Sequence, residues 1–147
     1  MQARDALNYD YSVAKCFTYA AILFGIVGML IGVVIAYQMA FPELNYLAGE
    51  YGTYSRLRPL HTSGVIFGFL LSGIFASWYY IGQRVLKVSM AESPFLMVIG
   101  KLHFWLYMIV MVIAVVNLFL GISTSKEYAE LEWPLDIAVV VVWVLWG

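Results

Sequence analysis

The fold class this sequence predicts is all-α, a polytopic transmembrane helix bundle, and three observations carry that prediction. Of the 147 residues, 63% are hydrophobic and only 12% are charged, where a soluble domain averages roughly a quarter charged. The mean hydropathy is +0.86. Apolar residues also gather in runs of membrane-crossing length, since about 30 Å of hydrocarbon takes roughly 20 helical residues. Such runs occupy about residues 14–39, 59–81 and 102–120, and a fourth begins at Leu135. It is still apolar at Gly147. The reading is three full helices plus a truncated fourth, with residues 1–147 forming the N-terminal part of one membrane domain in a longer chain.

The first run follows a polar stretch of about a dozen residues and is too long for the core of a signal peptide, so it is expected to remain as an anchor. Cys16 lies within it and is the lone cysteine. One thiol makes neither an intrachain disulfide nor a metal site, and the expectation is a buried small hydrophobe. Loop residues of about 40–58 lead to the second run, where Pro59 suits a first helical turn because its missing N–H is no loss there. Pro94 plays the same part ahead of the third run. A second loop, about residues 121–134, leads to Pro134 and the fourth run. Tyr51, Tyr54, Trp78, Tyr79, Tyr80, Trp105 and Trp133 fall near the predicted interfaces, where an aromatic belt accounts for most of them.

Charge sets the orientation. With the N-terminus inside, the inner segments hold Arg4, Lys15, Arg84, Lys87 and Lys101, and the outer ones Arg56, Arg58 and Lys126. That Lys/Arg bias places the N-terminus on the cytoplasmic side. A net charge of −1 points to no nucleic-acid partner; membrane lipids are the surroundings expected.

The stretch SRLRPLHTS, Ser55–Ser63, puts two cations, a proline and an imidazole at the outer mouth of the second run. On a 3.6-residue helix His61, Gly64, Gly68 and Ser72 form one stripe. That groove of small residues admits a neighbouring helix at close approach or a flat macrocycle such as haem hung from the histidine. Arg58, three residues before His61, could reach carboxylates of such a group, because arginine pairs with carboxylates bidentately. Arg56 suits a phospholipid headgroup. The other histidine, His103, is expected near the inner end of the third run, roughly 30 Å from His61, so the two cannot share one iron. It reads as an inner interfacial residue.

YGTYSRLRPLHTSGVIF and TSKEYAELEWPLDI, in this order and at this separation, resemble two signatures of the catalytic subunit of cbb3-type cytochrome c oxidases, the C-family haem–copper oxidases. The resemblance covers nearly the whole chain. It departs at Gly64, where alanine is frequent, and at Leu70-Leu71-Ser72, where a glycine pair is frequent. It implies a fold of about twelve helices, a low-spin haem b with His61 as one axial ligand, and Arg58 on the haem propionates. It also implies electrons arriving from cytochrome c through haem-c-bearing sister subunits. They would pass to a high-spin haem and copper pair, whose ligands this segment does not contain, where oxygen becomes water with proton translocation. The compartment implied is the bacterial inner membrane. Alone, this segment is expected to be inactive. The alternatives are a nitric oxide reductase large subunit, an electron-relaying membrane cytochrome, and a non-catalytic structural protein.

Thr124-Ser125-Lys126-Glu127 reads as a capping box opening a short interfacial helix, with Glu127 and Glu130 sharing a face. A hard cation is the second reading, because calcium takes six to eight oxygen ligands and would neutralise carboxylates gathered beside propionates. The resemblance implies a calcium ion held by Glu127, with Glu130 as an outer-sphere or proton-network partner.

Overall fold

The computed structural model describes residues 8–47, 49–124, 126 and 129–147. Among them every regular element is helical and no strand occurs. Three spans are long and apolar enough to cross a membrane. The first is α1, Ser12–Ala40. A short α2, Leu44–Leu47, follows. The second span, Tyr54–Leu86, is built from α3, Tyr54–Ser63, a π-helical run, Gly64–Leu71, and α4, Ser72–Leu86. A 3-10 turn at Met90–Glu92 leads to α5, Pro94–Leu120, the third span, and then to α6, Trp133–Trp146. In hydrocarbon only a helix satisfies every backbone group within one segment, so sustained apolarity dictates these elements.

Their ends have local causes, and one differs from expectation. The second span starts at Tyr54, which leaves Pro59 inside the helix rather than in its first turn. The Asn45 side-chain oxygen accepts the Tyr54 N–H at 2.8 Å, and the Asn45 amide donates to the Gln38 carbonyl at 3.4 Å. Asn45 thus caps the second span while tied to the end of α1. The third span likewise reaches back to Pro94, because Ser93 caps it by accepting the Leu96 N–H at 3.4 Å. At its far end Gly121 adopts φ +76°, and a Cβ there would collide with the Arg56 guanidinium. Arg56 therefore lies over the C-terminus of α5, where a cation is favoured, rather than being free for a lipid headgroup. It also stands 3.9 Å from Glu50.

Aromatic rings fill the centre. Phe17 of α1 is fully buried and touches Phe75 and Tyr79 of α4 at 5.3 and 5.8 Å. Across the bundle it meets His103, Phe104 and Tyr107 of α5 at 5.0, 5.1 and 5.8 Å. Lipid tails are as apolar as these side chains, so packing rather than exclusion of water drives the contact. Ring pairs of this kind contribute about 0.5–1.5 kcal/mol each. The end of the bundle near the N-terminus is pinned by Gln83. Its amide donates to the Asp10 and Tyr79 carbonyls at 2.7 and 2.9 Å, and its oxygen accepts the Met90 N–H at 3.0 Å.

Three expectations are corrected. His103 is not interfacial but fully buried, with Nδ1 3.0 Å from the Tyr79 hydroxyl. Tyr79, half-buried, turns its hydroxyl to that histidine rather than to an interface. Cys16 is exposed on the outward side of α1, the side left to surrounding apolar matter.

Asp10 starts α1 by accepting the Ser12 N–H at 2.7 Å. The Ser12 hydroxyl and N–H together hold its carboxyl below the usual value of 3.8. A lowered folded pKa contributes stability above the unfolded pKa and loses it as pH falls through the folded one. Protection factors at Ser12–Lys15, taken against the intrinsic exchange rate at each pH, are therefore expected to fall as pH drops below about 4. Asp10→Asn should remove that pH dependence.

Candidate functional site

His61 sits on α3 and is turned toward α1. Its Nδ1 lies 2.7 Å from the Gly28 carbonyl oxygen. A carbonyl only accepts, so Nδ1 carries the proton and donates. The neutral ring then keeps its lone pair on Nε2. This is the arrangement of metal-binding histidines, in which one ring nitrogen is fixed by a backbone carbonyl and the other is left basic.

The approach depends on a glycine. A Cβ at Gly32 would lie 2.6 Å from the His61 Cε1 and 3.0 and 3.3 Å from its Nδ1 and Nε2. The missing side chain is what lets the imidazole edge reach α1, and it keeps the Nε2 side clear of a methyl group. Gly28 makes a similar approach to Val65, whose Cγ2 would lie 3.0 Å from an added Cβ. Sequence reasoning missed both. Their signal was present in Gly25, Gly28 and Gly32, spaced i, i+3, i+7 along one face of α1.

The stripe expected beneath His61 is altered. Across Gly64–Leu71 the helix is π, not α, so positions four apart drift around the axis. Gly68 is filled from α1, for an added Cβ would lie 2.7 Å from Phe24, whereas nothing stands within 4 Å of one at Gly64. At Gly68 the neighbouring-helix reading of the groove is therefore the observed one.

Arg58 occupies the same helix face as His61, three residues earlier and one turn nearer the loop. Its backbone is helical, not the extended conformation favoured before proline, and its carbonyl accepts the Thr62 hydroxyl at 3.0 Å. His103 approaches α1 at Phe17, eleven residues from the Gly28 contact of His61, or about 16 Å along the helix. The two imidazoles occupy different levels.

The acidic segment is partly visible. Glu127 lies outside the described residues, and so does its share of the capping box. Residues 124, 126 and 129–132 are not helical, which corrects the expected short interfacial helix in that part. Thr124 instead closes a loop: its N–H donates to the Glu130 carbonyl at 2.8 Å and its hydroxyl to the Ala129 carbonyl at 2.6 Å. Glu130 is buried, 7% exposed. It lines a mostly apolar cavity of about 170 Å³ with Ser63, Phe67, Tyr107 and Asp136. That volume holds a few waters. Ser63 is two residues from His61, about 200° around the helix, so Glu130 meets a different side of the second span from the one facing Gly28. Among the described residues no three His, Cys, Asp or Glu side chains converge on a metal-sized site.

Residues 12–147 match the family described as cytochrome C and quinol oxidase polypeptide I. The chain is 40% identical to the cbb3-type cytochrome c oxidase subunit CcoN1 of Stutzerimonas stutzeri over 147 residues, all of this chain and 30% of that protein. It is 43% identical over 141 residues to cytochrome c oxidase subunit 1 of Rhodobacter capsulatus, covering 93% of this chain and 25% of the relative. A cytochrome c oxidase subunit 1 homolog of Agrobacterium tumefaciens is 38% identical over 137 residues, 93% of this chain and 24% of the relative. The chain thus spans between 24% and 30% of the length of these relatives.

Gly32→Ala puts a methyl group on the imidazole edge. The expected result is loss of the Nδ1 hydrogen bond with the fold retained, read as a changed His61 Nδ1 signal in nitrogen NMR beside an unchanged circular dichroism spectrum.

Proposed function

Because the chain belongs to the cytochrome c and quinol oxidase polypeptide I family, we propose that it supplies the haem-holding wall of a terminal respiratory oxidase subunit. The whole enzyme takes electrons from cytochrome c through haem-c-bearing sister subunits and reduces oxygen to water while translocating protons. High-spin haem and copper, held by residues elsewhere in the subunit, complete it. Its setting is the bacterial inner membrane, with the N-terminus cytoplasmic and lipids around the apolar faces.

The single observation that carries this reading is the Gly28–His61 hydrogen bond with its glycine clearance. The residues present fit a haem. His61 would offer Nε2 as a ligand nitrogen, and the absent Cβ of Gly32 is what admits the imidazole in that orientation. Arg58, one turn outward, is placed for propionate carboxylates. Bound there, a low-spin haem b supplies one-electron relay near the outer face.

The chain's own residues do the rest. The Gly28 carbonyl holds the ring in one tautomer and one orientation, and raises the basicity of Nε2. The aromatic core below, from Phe17 to Trp143, packs the other end of the bundle and holds α1 beside the second span. Arg58 offsets anionic charge at the outer rim. Glu127 supplies carboxylate oxygens to a calcium ion, and Glu130 serves as an outer partner or proton acceptor beside its small cavity. Calcium suits this place because additional carboxylates beside propionates would otherwise repel one another.

Two measurements on the full-length protein test the reading. His61→Ala is expected to abolish the low-spin b-haem band in reduced-minus-oxidised spectra with membrane insertion intact; an unchanged band counts against the haem assignment. For the cation, Glu127→Gln should lower bound calcium in elemental analysis, and equal calcium in both proteins would leave Glu127 without that role.

A further inference from the structure

The lower half of the second span is locked. Phe75 is fully buried among rings of α1, α5 and α6, Tyr79 lies against Phe17, and Gln83 has its amide and its oxygen engaged. The upper half carries His61. Between them stands the π run of eight residues. A π register turns less per residue than an α-helix, so an uninterrupted α-helix on the same lower half would turn His61 to a different direction. It would leave Gly28 and Gly32. The π run is what points the imidazole at α1.

A π-helix is less favourable than an α-helix and persists only where something holds it. The structure provides a holder on a different span. The Tyr107 hydroxyl of α5 donates to the Phe67 carbonyl, inside the π run. Tyr107 has little freedom to let go, being 4% exposed, edge-on to Phe75 at 5.4 Å and beside Phe17 at 5.8 Å. At the top of the run the Gly64 N–H is shared between the Leu60 and His61 carbonyls. These are the i−3 and i−4 acceptors of an α or tighter turn, so His61 itself stays in α-helical backbone and the π register lies below it.

We propose that Tyr107 is a positioning residue for His61, its hydroxyl on the Phe67 carbonyl holding the π run that aims the imidazole at Gly28. The consequence for haem rests on the function proposed above; the geometry does not. The competing account is that contacts with α1, the Gly28 bond and the Phe24–Gly68 approach, hold His61 unaided. The two accounts part at the phenol hydroxyl.

The test uses the full-length protein. In the wild type, carbonyl carbon NMR should give Phe67 a shift displaced from ordinary helical carbonyls, marking the additional donor. Tyr107→Phe should return it to the helical value. The low-spin haem should remain in that variant with its EPR gmax moved, because gmax follows the orientation of the axial imidazole planes. Tyr79→Phe, which removes a comparable buried hydroxyl from His103 instead, should leave both signals in place; movement of gmax to the same extent there would reduce Tyr107 to a packing role and overturn the proposal. An unchanged gmax in Tyr107→Phe overturns it as well. So does a wild-type Phe67 carbonyl at the ordinary helical shift, a result that needs no variant to fold. Low-spin haem surviving His61→Ala would overturn the haem reading alone, since the Phe67 carbonyl is measured independently of any haem.

Discussion

The hydrogen bond from His61 to the Gly28 carbonyl is the constraint on which the rest of this structure depends. A backbone oxygen cannot donate, so the bond leaves no choice of tautomer. The ring is half-buried, and a hydrogen bond of this kind contributes about 0.5–1.5 kcal/mol. One contact therefore sets the proton on Nδ1, the lone pair on Nε2, and the direction of both. Glycine at position 32 is its steric counterpart. Any larger residue there would meet the ring before the ring met the carbonyl.

From that contact the organisation of the bundle follows outward. α1 must run close enough to the second span for its glycines to matter, and the Phe17 cluster holds it there at the opposite end. The second span must turn His61 toward α1 while keeping Phe75 and Tyr79 in the shared core. A regular helix cannot meet both demands, and the π run reconciles them. Gln83, Asn45 and Arg56 then fix the ends, Gln83 and Arg56 joining segments far apart in the chain and Asn45 bridging the loop between α1 and the second span. In hydrocarbon such polar links contribute about 0.6 kcal/mol each on average, modest singly, and their placement at the two rims defines the register of the spans.

The all-α membrane architecture was legible because it is written in composition and run length, which need no tertiary information. His61 and Arg58 were legible as a motif beside a proline in an apolar run. What the sequence concealed was non-local. The start of the second span was misplaced at Pro59 because the true cap comes from Asn45, nine residues before Tyr54 and across a loop. The small-residue stripe assumed a uniform 3.6-residue period, and nothing local in Gly64–Leu71 announces a π register held with help from α5. His103 was assigned to the interface by its distance from the helix ends, whereas its surroundings of Phe17, Phe75 and Tyr79 are gathered from two other segments. Gly28 and Gly32 were readable in principle, but their meaning appears only once His61 is laid against them.

The most direct test is the tautomer of His61 in the haem-free protein. Nitrogen NMR on histidine-labelled protein distinguishes a protonated ring nitrogen from one with a lone pair. The account predicts a protonated Nδ1, hydrogen-bonded to a carbonyl, and an unprotonated Nε2 in the neutral ring. A proton found on Nε2, with Nδ1 bare, would contradict it, because that ring could neither donate to Gly28 nor offer Nε2 to a metal.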